Sequence, residues 1–142
     1  MNEDFIATAS TTVNAPAEKV WKALTDRASV KEYMFGTDMV SDFRKGSPIT
    51  WKGEWEGKAY EDKGEVLDVE ANRLLRYTHF SPLTGEPDLP ENYHTVTIEL
   101  TPNGSQTEVS LSQNNNRTEE ARDHSGKNWE MMLGGLKKFV EQ

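Results

Sequence analysis

The chain contains no cysteine. Disulfide frameworks, thiolate zinc sites and cysteine nucleophiles are therefore excluded together. Long apolar runs are missing as well. No uninterrupted apolar stretch exceeds three residues, whereas a membrane-spanning helix needs roughly 20. Positive charge is scarce: Lys and Arg number 16 against 24 Asp and Glu, a net charge of −8. That balance argues against nucleic acid and against an anionic membrane surface as partners. There is no P-loop, dinucleotide fingerprint, His-Glu-x-x-His or Gly-x-Ser-x-Gly, which disfavours nucleotide hydrolysis, zincin chemistry and the serine-hydrolase elbow. The opening Met-Asn-Glu-Asp is acidic where a secretory signal needs a basic region. The expected compartment is the cytoplasm.

What remains is enough for one folded unit. The 142 residues suit a single domain, and a chain of this length buries about two-thirds of its unfolded surface. Four Trp, five Phe and four Tyr supply bulky core material. Phe5 to Val13 alternates as a strand. Pro16 suits a helix start, and Val20, Ala23 and Leu24 recur at helical spacing. A second short helix is expected over Arg27 to Met34. Strands are then expected at Met39–Phe43, Ile49–Trp55, Tyr60–Glu70 and Leu74–Phe80. A loop follows from Ser81 to Asn92. His94, Val96, Ile98 and Leu100 alternate against Thr95, Thr97 and Glu99. Asn103-Gly104 signals a hairpin to the strand carrying Thr107, Val109 and Leu111. Polar residues from Gln113 to Arg117 are expected to end the sheet. Thr118 caps a last helix whose stripe is Trp129, Met132, Leu133, Leu136, Phe139 and Val140. Gly126, Gly134 and Gly135 inside it point to close backbone approach or a bend. This order, with helices and strands segregated, is that of an α+β domain.

The segment Val13-Asn14-Ala15-Pro16-Ala17-Glu18-Lys19-Val20-Trp21-Lys22-Ala23-Leu24-Thr25-Asp26 resembles the opening signature of the START-like (SRPBCC, helix-grip) superfamily. More narrowly, it is similar to the C-terminal domain family of the activator of the 90-kilodalton heat-shock chaperone's ATPase. Lys45-Gly46, Gly64-Glu65-Val66-Leu67-Asp68-Val69, Asn72-Arg73-Leu74-Leu75 and the Trp129-to-Leu136 part of the last helix carry the resemblance further, over nearly the whole chain. It implies a curved antiparallel sheet of about six to seven strands wrapped around the C-terminal helix, with two short helices after the first strand. It also implies a cavity between sheet and helix that holds a lipid, sterol, flavonoid or polyketide-like molecule. The eukaryotic activators carry an additional N-terminal domain, for which 142 residues leave no room.

Within such a domain the aromatic residues Trp51, Trp55, Tyr60, Tyr77, Tyr93 and Trp129 are either ordinary core or the lining of an apolar pocket. His79 and His94 sit opposite one another if their strands form a hairpin. They then form either a ligand-polarising or metal-ligating pair, or two polar groups at the wet end of a sheet. A third ligand cannot be placed, the iron motif of distant relatives is missing, and the expectation is no metal and no cofactor. His124 is expected on the surface. Glu54, Glu56, Glu61, Asp62 and Glu65 alternate with Lys52, Lys58 and Lys63 and read as a solvated face, the alternative being an acidic docking surface for a protein partner. The expected ligand-binding set is Trp51, Trp55, Tyr77, His79, His94, Trp129 and Met132. The expected function is non-enzymatic binding of a small hydrophobic molecule. The alternatives are a chaperone ATPase regulator acting through protein contacts and a polyketide cyclase-like enzyme.

Overall fold

Period-two alternation of β-branched and small residues with polar ones makes most of this chain sheet, and the sheet does curve around one long helix. The computed structural model describes residues 5–34, 36–55, 57–82 and 85–142, with the backbone alone for Trp55. Its elements are β1 (Phe5–Val13), α1 (Ala17–Thr25), α2 (Arg27–Tyr33), β2 (Asp38–Ser41), β3 (Pro48–Trp55), β4 (Lys58–Glu70), β5 (Leu74–His79), β6 (His94–Asn103), β7 (Gln106–Asn116) and α3 (Glu119–Val140). A 3-10 turn, Pro90–Asn92, lies in the β5–β6 connection. The strands form one antiparallel sheet in the order β1-β7-β6-β5-β4-β3-β2. It is an α+β helix-grip architecture.

The local chemistry explains the element ends. Pro16 takes the position before α1 rather than the first helical one. Asp26 caps α2 by accepting from the Ser29 N–H at 3.1 Å. Thr118 caps α3 by accepting from Ala121 N–H at 3.0 Å, with Glu119 and Glu120 in the first turn and Lys137 and Lys138 in the last. Those charges oppose the helix dipole at both ends. In the β6–β7 hairpin the turn residues are Gly104 and Ser105, between the paired Asn103 and Gln106. Gly104 alone there takes a positive φ, +65°, as a type II′ turn requires of its first central residue.

The sheet does not stop at Gln113. β7 continues to Asn116 because its polar side chains find buried partners. The Asn116 amide donates to Phe5 O at 2.9 Å and accepts from the Ser125 hydroxyl at 3.0 Å. Asn115, at φ +61°, is the extra residue where the β1–β7 register shifts between Phe5/Ala7. A second bulge in β4 lies between Val66 and Asp68. Bulges of this kind bend a strand and increase its twist, and here they help curl the sheet.

The core sits on the concave face. Val13, Val20, Val66, Val96, Val109 and Leu136 are completely buried. Leu133 and Val140 complete the buried line of α3, while Trp129, Met132 and Phe139 flank it, partly buried. α3 packs on β1 and β7 and also meets α1 and α2. Six inter-strand gaps at about 4.8 Å make a face about 29 Å wide, whereas a helix with its side chains is only about 10–12 Å across. One helix cannot cover this face. α1 packs toward β6 and β7 and α2 toward β2, and a set of aromatic side chains covers the half built from β3, β4 and β5.

Two glycines test this arrangement from opposite directions. A Cβ on Gly64 would lie 1.7 Å from the Thr78 carbonyl oxygen, where β4 and β5 run unusually close, while a Cβ on Gly134 in α3 meets nothing within 4 Å. Gly64→Ala is expected to destabilise by about 3 kcal/mol or more, lowering Tm by on the order of 10 °C. Gly134→Ala is expected to stabilise by about 0.5–1 kcal/mol. Thermal denaturation of the two variants checks both signs. Equal behaviour would contradict the close approach.

Candidate functional site

Where α3 leaves the sheet, a cavity of about 100 Å³ remains between β3–β6, α2 and the middle of α3. Its apolar wall comes from Ile49, Leu75 and Ile98 on the sheet and from Met132 and Trp129 on α3. Leu24, Val30, Tyr33 and Met34 close it from the α1–α2 side.

Alternation sends the right residues inward. On β5, Leu75, Tyr77 and His79 share the concave face, as do their register partners Ile98, Val96 and His94 on β6. On β4 the inward set is Tyr60, Asp62, Gly64 and Val66, while Glu61, Lys63 and Glu65 are exposed. Trp51 pairs with Asp62 across β3 and β4. The pairings Val66–Tyr77 and Lys63–Phe80 place Gly64 level with His79. With no side chain at Gly64, the His79 ring reaches over it to Asp62.

Four of the cavity's polar groups form two pairs. His79 Nε2 lies 2.9 Å from Asp62 Oδ2, and the imidazole stands edge-on to Trp51 with centroids 5.0 Å apart. Trp51 also leans on Tyr77, at 5.2 Å. Thr37 Oγ1 and the Tyr60 hydroxyl are 2.9 Å apart. The Asp62 side chain is only 16% exposed, and among the described residues its second oxygen, Oδ1, is buried with no hydrogen-bond partner. Buried polar atoms are paired in the great majority of cases, so this oxygen is the chemical anomaly of the molecule.

Five of the seven residues expected at the site line this cavity: Trp51, Tyr77, His79, Trp129 and Met132. Trp129 has already committed its indole N–H, which donates to Gln113 Oε1 at 2.7 Å. His94 does stand opposite His79 in register, but it lies outside the cavity lining, and its Nδ1 faces the Asn114 carbonyl at 2.9 Å. The Trp55 side chain lies outside the described residues. Among those residues no group of three or more His, Asp or Glu could hold a metal ion. Sequence reasoning missed Asp62 by grouping it with the solvated acids of β4. Its alternation with Tyr60, Gly64 and Val66 was the available signal.

The interior shifts the titration of two phenols. Burial pushes Tyr77 well above the ordinary tyrosine range. Tyr33, whose hydroxyl donates to Ala23 O at 2.9 Å, is pushed up by burial first and by neighbouring Tyr77 second. A phenol harder to ionise in the folded state stabilises fully below about pH 10, and that contribution fades as pH rises further. Two of the four tyrosines are therefore expected to resist ionisation in native protein. Stability should fall above about pH 10 by up to about 1.4 kcal/mol per pH unit for each of the two. Near-ultraviolet absorbance and denaturant titrations check this. Simultaneous native ionisation of all four near pH 10 would contradict it.

The geometry has counterparts in known structures. A protein of Cytophaga hutchinsonii, known from its solution structure, is 58% identical over 99% of this chain and 97% of its own, with a TM-score of 0.87. The Aha1 dimer of Colwellia psychrerythraea is 22% identical over 96% of each chain, with a TM-score of 0.74. A protein of the dynemicin biosynthetic locus is 19% identical, with a TM-score of 0.81 over 99% of this chain and 48% of its own. At such identities the last two show a shared fold alone. A comparison with curated proteins found no significant match. The family model described as activator of Hsp90 ATPase homolog 1-like protein matches residues 14–141. The chain belongs to that family, within the START-like helix-grip superfamily.

Proposed function

We propose that the chain is a non-enzymatic binding module that holds a small, largely hydrophobic molecule between the sheet and α3. The observation that carries this reading is the cavity itself, walled by apolar and aromatic side chains and furnished with a few polar atoms. Small-molecule sites have this composition. The volume favours the small end of the expected ligands. Drug-sized molecules occupy roughly 300–1,000 Å³, whereas an engineered cavity of about 150 Å³ admits benzene. At about 100 Å³ this cavity takes a single ring or a short chain once Met34 and Met132, both flexible, draw aside. A sterol or flavonoid requires α3 to move outward. The binding module works in the cytoplasm on this reading.

Family membership favours a second reading, regulation of a chaperone ATPase through protein contacts. It makes the cavity incidental and predicts capture of Hsp90 by the purified chain.

The methionines provide the test. In a ¹³C-methyl NMR titration with single-ring aromatics and short fatty acids, Met39 and Met132 are expected to shift, since both line the cavity. Met131, 61% exposed, is expected to stay. Recovery of the ligand unchanged separates binding from cyclase-like turnover. No methyl shift from any compound, together with saturable Hsp90 binding, would overturn the proposal in favour of the second reading.

A further inference from the structure

The unpaired Asp62 oxygen narrows the ligand class. This inference rests on the binding-module reading and goes beyond it. Asp62 stands on the inward face of β4, with Oδ2 occupied by His79 Nε2. Its other oxygen, Oδ1, is buried and has no partner among the described residues. Three of the nearby donors are engaged elsewhere. The Tyr60 hydroxyl pairs with Thr37, the Tyr33 hydroxyl donates to Ala23 O, and the Trp129 indole donates to Gln113. The carboxylate oxygen thus leaves acceptor capacity unused, on a side chain that lines a mostly apolar cavity. A ligand with only apolar surface leaves Oδ1 unpaired, whereas a donor on the ligand gives it the partner that the protein does not.

We infer that the ligand carries a hydrogen-bond donor, a hydroxyl or an ammonium group, on a small planar apolar body. The donor is received by Asp62 Oδ1, and the ring lies among Ile49, Leu75, Ile98 and Met132. His79, held between Asp62 and Trp51, occupies Oδ2, so that Oδ1 is the oxygen left for a ligand. Specificity follows from the acceptor: a molecule of the same shape without a donor leaves a buried carboxylate oxygen dry.

Four probes of similar shape separate the terms: phenol, benzylamine, toluene and anisole, each titrated against the methyl signals of Met39 and Met132. Phenol, benzylamine or both are expected to bind at least about tenfold more tightly than toluene and anisole, the margin of a hydrogen bond to a charged acceptor. Comparison of phenol with benzylamine tells a hydroxyl from an ammonium ligand. In Asp62→Leu, close to Asp in shape but with no acceptor, the preference is expected to vanish or reverse. In Asp62→Asn, which keeps an uncharged acceptor, it is expected to shrink. Toluene binding as tightly as phenol to the wild-type protein would overturn the donor inference and leave the binding module standing. So would a preference that survives Asp62→Leu, or silence from all four probes while a fatty acid still shifts the methyls. The wild-type comparison decides even if the variants fail to fold. Silence from every compound would remove the binding-module reading as well.

Discussion

A seven-stranded curved sheet presents more concave surface than one helix can cover, and that mismatch organises the molecule. α3 saturates the β1–β7 side, where Leu133, Leu136 and Val140 are buried. Its last turn is tied to the end of β1 by Lys137 donating to Thr12 O at 2.7 Å and by Glu141 accepting from Asn14 N–H at 2.7 Å. The opposite half of the face needs another filling. α2, packed toward β2, begins that filling, while α1 packs toward β6 and β7. Gly135 lets α3 approach α2, since a Cβ there would stand 3.3 Å from the Tyr33 carbonyl oxygen. The remaining gap is spanned by long side chains rather than by backbone, and side chains of unequal shape leave a void where they meet.

Solid cores avoid polar atoms at such a meeting point, because an unpaired buried polar group costs on the order of 1–3 kcal/mol and a charged one more. This fold does the opposite. It places a carboxylate, an imidazole and three phenols around the void, and among the described residues it leaves one carboxylate oxygen buried without a partner. Packing alone gives no reason for Asp62, since a Leu on the same strand position would bury with no unpaired oxygen, at the cost of the bond to His79. A position that is unfavourable for stability and oriented into a cavity is where function is expected to reside.

Much of the fold was legible from period-two alternation and from turn chemistry. The span Phe5–Val13 and the opposition of His79 to His94 followed from those rules, as did the Thr118 cap. The end of β7 was not legible: a Gln-Asn-Asn-Asn run reads as loop by composition, and only the long-range partners Phe5 O, Ser125 and Trp129 make it strand. The site was partly legible. Aromatic residues on inward positions of β3 and β5 marked the wall. Asp62 was hidden because its neighbours Glu61 and Lys63 are solvated, so the segment looks uniformly charged unless its two faces are read apart. His94 shows the opposite limit. Register places it beside His79, but register does not say that its ring turns toward the Asn114 carbonyl and away from the cavity.

The central claim is that the concave face over β3–β5 encloses a void rather than a filled core. Xenon enters small apolar cavities and leaves well-packed interiors alone. Diffraction from crystals of the protein pressurised with xenon measures this directly. One ordered xenon site is expected, bounded by Ile49, Leu75, Ile98 and Met132. Crystals with no xenon in that region, and with Trp51, Tyr77 and Trp129 packed solidly together, would contradict it.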